Sequence, residues 1–188
     1  MSRSLLLWMS IALSSFAAAG PLENEAWHAL RRCDYAGLDR SLSRGADVNA
    51  LDGAGETLLT AAVHRRCAGN GTATTPDLVG LLLEKNASVN AQDRFGRTAL
   101  MAAVAVDDLY FVRLLLEKSA DANLKDHSGR TALFEAVTRK RSAAVRLLLD
   151  RGADPGLSDA QGQSPVDLAR KLGAMDIVSM LTAPKPFR

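Results

Sequence analysis

The chain has 188 residues, 47% of them hydrophobic and 23% charged, a profile that supports one domain folded around a core. Lys and Arg exceed Asp and Glu by only 23 to 21, and aromatics make up 5%, so neither charge nor base stacking argues for a nucleic-acid partner. Two cysteines exclude both a disulfide-rich scaffold and a four-thiolate zinc site.

Residues 1–19 have the layout of a cleaved signal peptide. Arg3 supplies the positive start, Leu5 to Leu13 form an apolar stretch broken only by Ser10, and Ala17 and Ala19 precede Gly20. Small side chains at these two positions fit the A-x-A pattern that signal peptidase accepts. The apolar stretch is shorter than the roughly 20 residues that a bilayer core requires. No later segment is long and apolar enough to insert, so the expected location is periplasmic or secreted, with no membrane insertion after cleavage.

From Gly20 onward a period of 33 organises the chain. Gly96, Gly129 and Gly162 are spaced by 33, and Thr98, Thr131 and Ser164 follow each glycine by two residues. Leu114-Leu115-Leu116 recurs as Leu147-Leu148-Leu149, and Ala120-Asp121 as Ala153-Asp154. Between Thr57 and Thr98 the step is 41, so one unit carries 8 extra residues, assigned to the Gly/Thr/Asn/Pro-rich stretch 67–76. Units are expected at about 22–52, 53–93, 94–126, 127–159 and 160–183, with 184–188 as a tail.

Each unit reads as two short helices. Thr57, Thr98, Thr131 and Ser164 are suited to cap a helix N-terminus, and Pro165 follows where a missing N–H costs nothing. The small residues Ala61-Ala62, Ala102-Ala103 and Ala136 allow the first helices to approach closely, while the leucine triplets give the second helices an apolar seam. Gly45, Asn86 and Gly152 suit left-handed helix ends. No unit buries its leucines alone, so the units must stack.

These residues resemble the ankyrin repeats. The openings Thr57-Leu-Leu-Thr-Ala-Ala, Thr98-Ala-Leu-Met-Ala-Ala, Thr131-Ala-Leu-Phe-Glu-Ala and Ser164-Pro-Val-Asp-Leu-Ala follow that family's T-P-L-H-x-A pattern. The endings Gly45-Ala-Asp-Val-Asn, Asn86-Ala-Ser-Val-Asn, Ser119-Ala-Asp-Ala-Asn and Gly152-Ala-Asp-Pro-Gly match its closing motif. The resemblance implies an all-α solenoid of about five stacked helix-turn-helix units joined by hairpin-like loops. It also implies a monomeric, non-enzymatic scaffold that binds a protein partner through its concave face and hairpin tips, as an inhibitor or as an adaptor or protective factor. An envelope-associated structural protein is the alternative.

The search for chemistry points the same way. Common hydrolase, P-loop, zinc-protease and C-x-x-C signatures are lacking, and no cofactor or metal is expected. His28, His64 and His127 fall at three different phases of the repeat; a metal or redox role for His64 with Cys67 is the rival from another class. Asp52, Asp93, Asp126 and Asp159 read as turn residues rather than as calcium ligands converging on one ion.

Cys33 and Cys67 are 34 apart, one more than the period. Equivalent atoms of stacked units lie roughly 10 Å apart, beyond the reach of a bridge, unless the extra segment in unit two closes the gap. In an oxidising compartment a disulfide is the expected state, with two separate thiols as the other. Arg31-Arg32, His64-Arg65-Arg66 and Arg139-Lys140-Arg141 recur in phase, broken by Ala105-Val106-Asp107-Asp108; they serve helix C-termini or form a stripe for an acidic partner. Candidate partner-binding residues are Arg94 and Phe95 on one hairpin tip, His127 on the next, and Met101 and Phe134 at the family's usual His position. Phe95 is either an anchor for the partner or packed onto its neighbouring hairpin.

Overall fold

A computed structural model of the chain describes residues 20–65, 67 and 74–183. The expected signal segment 1–19 and tail 184–188 lie outside the described residues, as does most of the inserted stretch.

The described residues form five helix pairs. They are α1 (Pro21–Arg31) with α2 (Tyr35–Ser43), α3 (Leu58–His64) with α4 (Thr75–Glu84), and α5 (Ala99–Ala105) with α6 (Leu109–Glu117). The last two are α7 (Ala132–Thr138) with α8 (Ser142–Asp150) and α9 (Pro165–Lys171) with α10 (Met175–Thr182). The first helices of successive pairs pack into an inner layer and the second helices into an outer one. This is the all-α solenoid that the period predicted.

The helix starts obey the predicted caps. The side chains of Thr57, Thr98, Thr131 and Ser164 each accept a bond from the backbone N–H three residues on. The hydrophobic residues then divide by layer. Leu59, Leu100 and Leu133 are buried on inner helices, and Leu82, Leu115 and Leu148 occupy one outer column, each fully buried. Removing such a side chain costs about 2–5 kcal/mol in a packed core.

Two polar ladders set the stacking register. In the turn ladder, Oδ1 of Asp52, Asp93, Asp126 and Asp159 each accepts N–H groups two and four residues on, at 2.8–3.0 Å. These carboxylates are therefore committed to turns. In the second ladder, Oδ1 of Asn49, Asn90 and Asn123 accepts the backbone N–H of Ser88, Asp121 and Asp154 in the following unit, each at 2.8 Å. Among the described residues no unit precedes the first, and there Glu23 accepts the equivalent bond from Asp47 at 3.1 Å. That bond holds the Glu23 carboxyl below its ordinary range. At the other end, the position of the asparagine is Gly156.

The tips stack on glycine. Gly96 and Gly129 have φ of 76° and 75°, and a Cβ at these positions would lie 2.9 Å from the His127 nitrogen and 2.6 Å from the Ala160 nitrogen. Both the left-handed backbone and the close approach exclude a larger residue.

Unit two departs from this regularity. Inner helices α1, α5, α7 and α9 end in a left-handed residue, namely Cys33, Asp107, Lys140 and Gly173. After α3 the backbone of Arg65 is instead extended, and the chain leaves the repeat path there. The Thr75 hydroxyl closes the base of the inserted stretch: it accepts from the Cys67 N–H and donates to the Arg65 carbonyl, both at 2.9 Å. The expected loop 67–76 is shorter at its C-terminal side. Thr74 forms a capping box with Asp77, and Thr75 and Pro76 already belong to the first turn of α4.

Candidate protein-binding site

Residues of the hairpin tips of units three and four and of the inner helices α3, α5 and α7 meet around one notch. Phe95, on the tip of unit three, is 48% exposed. The guanidinium of Arg94 lies over its ring at 4.6 Å and that of Arg97 at 5.0 Å. Arg97 is further fixed by the buried Asp93 carboxylate at 2.7 Å. The Phe95 carbonyl accepts the backbone N–H of His127 at 2.9 Å, so the tips of units three and four are joined directly. Phe95 is therefore a half-exposed ring on a tip tied to the next one, with two cations over it.

Beside this tip is a notch of about 280 Å³. Its floor is Met101, Ala102 and Ala105 of α5; its walls include His64, Arg97, Arg130 and Arg139. The notch exists because α5 reads Ala-Leu-Met-Ala-Ala-Val-Ala, whereas the positions matching Ala102 and Ala105 include His64 in unit two and Glu135 in unit four. Arg130 lies over the Phe134 ring at 5.4 Å, and Arg139 pairs with Glu135 one helical turn back.

The structure sorts the sequence-predicted residues. Arg94, Phe95 and His127 come together at adjoining tips. Met101 and Phe134 do not join them as exposed contacts: they are only 6% and 2% exposed, inside a column with Trp27 and Thr60 that supports the face from beneath. The reason is the N-terminal turn of each inner helix, which tucks that position under the preceding hairpin, as Arg130 over Phe134 shows. Arg97 and Arg130 were not singled out by sequence reasoning. Their signal was the period itself, since they are 33 apart and directly precede the helix caps Thr98 and Thr131.

The recurring cations largely serve the fold. Arg31 pairs with Asp52 at 3.2 Å, and Arg141 pairs with Asp107 at 3.0 Å. Asp107 belongs to the acidic unit-three segment that interrupts the basic series, so the interruption supplies the acceptor. His64 faces Glu56 at 3.1 Å. Cys33 and Cys67 form a disulfide with Cα atoms 5.9 Å apart. The Cys67 thiol of the metal or redox reading is thereby engaged. Among the described residues, no three His, Cys, Asp or Glu side chains are grouped to hold a metal ion, and no helix is long and apolar enough to cross a membrane.

The family model for ankyrin repeats (3 copies) matches residues 27–126 and 66–159. The chain is an ankyrin-repeat protein. The matches cover more than half of its length and include the units that build the tips and notch. Comparison with curated proteins found no match. Ankyrin repeats are typically non-enzymatic scaffolds for protein–protein interaction, and the exposed face of units three and four has the composition of such a surface: one aromatic, several arginines and a recess lined by polar side chains around Met101, Ala102 and Ala105.

Proposed function

We propose that this ankyrin-repeat protein is exported, acts in the periplasm or outside the cell, and binds one protein partner without catalysing a reaction. Binding uses the tips and notch of units three and four, and its consequence is to inhibit the partner or to assist and protect it. The observation that carries this reading is Phe95, an exposed ring with the guanidiniums of Arg94 and Arg97 over it, next to the notch that Arg97 helps to line. Export is supported by the leader-like order of Arg3, the Leu5–Leu13 stretch and Ala17-x-Ala19.

Affinity capture tests binding. The exported chain and its Phe95→Ala variant serve as parallel baits in a native periplasmic or secreted extract. One stoichiometric partner, retained by the parent and lost by the variant, is the expected result; an equal yield with both baits moves the site elsewhere. Mass analysis of the exported chain tests the leader, with Gly20 expected as its first residue.

A further inference from the structure

The charges of the notch and of the adjoining tip, where Arg94 stands outside the notch lining, are unequally satisfied. Asp93 and Asp126 accept turn N–H groups, Asp93 also holds Arg97, and Glu135 holds Arg139. Among the described residues, Arg94 and Arg130 have no ion pair; their guanidiniums are laid on the rings of Phe95 and Phe134. A ring beneath a guanidinium restrains its plane and leaves the N–H edge available, which is the geometry for two parallel bonds to a carboxylate. The equivalent tip of unit two has Gly53, Ala54 and Glu56 where unit three has Arg94, Phe95 and Arg97. The positive surplus is therefore local to units three and four.

We propose that Arg94 and Arg130 form a ring-supported clamp for an acidic segment of the protein partner, taking Asp or Glu carboxylates while a neighbouring apolar side chain enters the notch over Met101, Ala102 and Ala105. The proposal deepens the partner-binding reading above and rests on it. Charge complementarity selects this occupant: Asp93 and Glu135 already hold Arg97 and Arg139, which leaves the guanidiniums of Arg94 and Arg130 able to exchange water for an external carboxylate. The apolar floor favours a side chain beside that anion over a bare phosphate backbone.

The test uses random dodecapeptides displayed on phage, selected against the full chain produced with its own leader. Enrichment of Asp or Glu next to an apolar residue is expected. Changing that Asp or Glu to its amide should weaken a selected peptide by about tenfold. Arg94→Ala/Arg130→Ala should lose about the same factor, and against this variant the amide change should cost less than about twofold. Arg113→Ala/Arg146→Ala removes two charges from exposed positions on the outer helices and should bind within about twofold of the parent. Circular dichroism melts confirm that each variant is folded.

Peptides that depend on Phe95 but show no acidic preference would overturn the clamp and leave the tip-binding reading intact. Peptides indifferent to both Phe95→Ala and the double arginine variant, or no selected peptides at all, would overturn both. Displacement of the peptides by a single-stranded oligonucleotide at equal concentration would overturn the choice of a protein partner.

Discussion

Units one and two and units three and four are built on the same ladders, yet they spend their variable positions differently. In the first half, Cys33 and Cys67 join the inner-helix ends remote from the hairpin tips, Glu23 replaces the missing preceding asparagine, and the second tip is small and uncharged at Gly53 and Ala54. In the second half the spacing is a strict 33, no bridge is present, and the tips carry Arg94, Phe95, Arg97, His127 and Arg130. The contrast teaches that a repeat array can separate its tasks along its length. One end is fastened, and the regular middle is left to present a surface. A stacked array allows this because each unit contacts only its neighbours, so local changes are felt locally.

The strongest way to break the comparison is to damage the core beneath the proposed surface. Leu115→Ala should cost about 2–5 kcal/mol in urea unfolding and reduce partner binding with it. Removing the fastening is the next largest change. Cys33→Ser/Cys67→Ser, or reduction of the parent, should cost about 2–4 kcal/mol, because a 34-residue separation is no longer closed in the unfolded chain. Hydrogen exchange should locate that loss in residues 21–52 while binding changes less than about twofold. A large loss of binding on reduction would erase the division between the halves.

Phe95→Ala reverses this pattern. It should weaken the partner by about tenfold or more while altering stability by less than about 0.5 kcal/mol, read by titration calorimetry and thermal melting. Asn90→Ala removes one rung between units two and three, leaving the Asp121 N–H without its acceptor; a loss of about 1 kcal/mol is expected in urea.

The smallest effect is that of acid. Asp39 is held below its usual range first by Lys85, Asp77 by Thr74, Asp167 by Ser164 and Asp176 by Ser142. Groups lowered in the folded state stabilise it above their unfolded values, and that contribution fades as pH falls through the folded ones. A modest decline below about pH 4 is expected, carried by units one, two and five, because none of these exposed groups belongs to units three and four.

The fold was legible in the sequence because its signals repeat. The four caps Thr57, Thr98, Thr131 and Ser164 mark the inner helices directly, and the leucine triplets mark the outer ones. The bridge was legible as a possibility: the offset of one residue between Cys33 and Cys67 needed the inserted stretch, and the extended Arg65 shows how the chain departs to reach it. The site was only half legible. Arg94 and Phe95 stand out on a polar tip, whereas the burial of Met101 and Phe134 depends on the preceding hairpin folding over them. The role of Asn49, Asn90 and Asn123 was hidden for a related reason. Asparagine near a turn reads as a local turn residue, and its acceptor role across units appears only when the next repeat is in place.

The most direct test is hydrogen exchange on the exported protein with and without its captured partner. The account predicts new protection at residues 94–97 and 127–130, with residues 21–52 unchanged. Protection confined to residues 21–52, with none between 94 and 130, would contradict it.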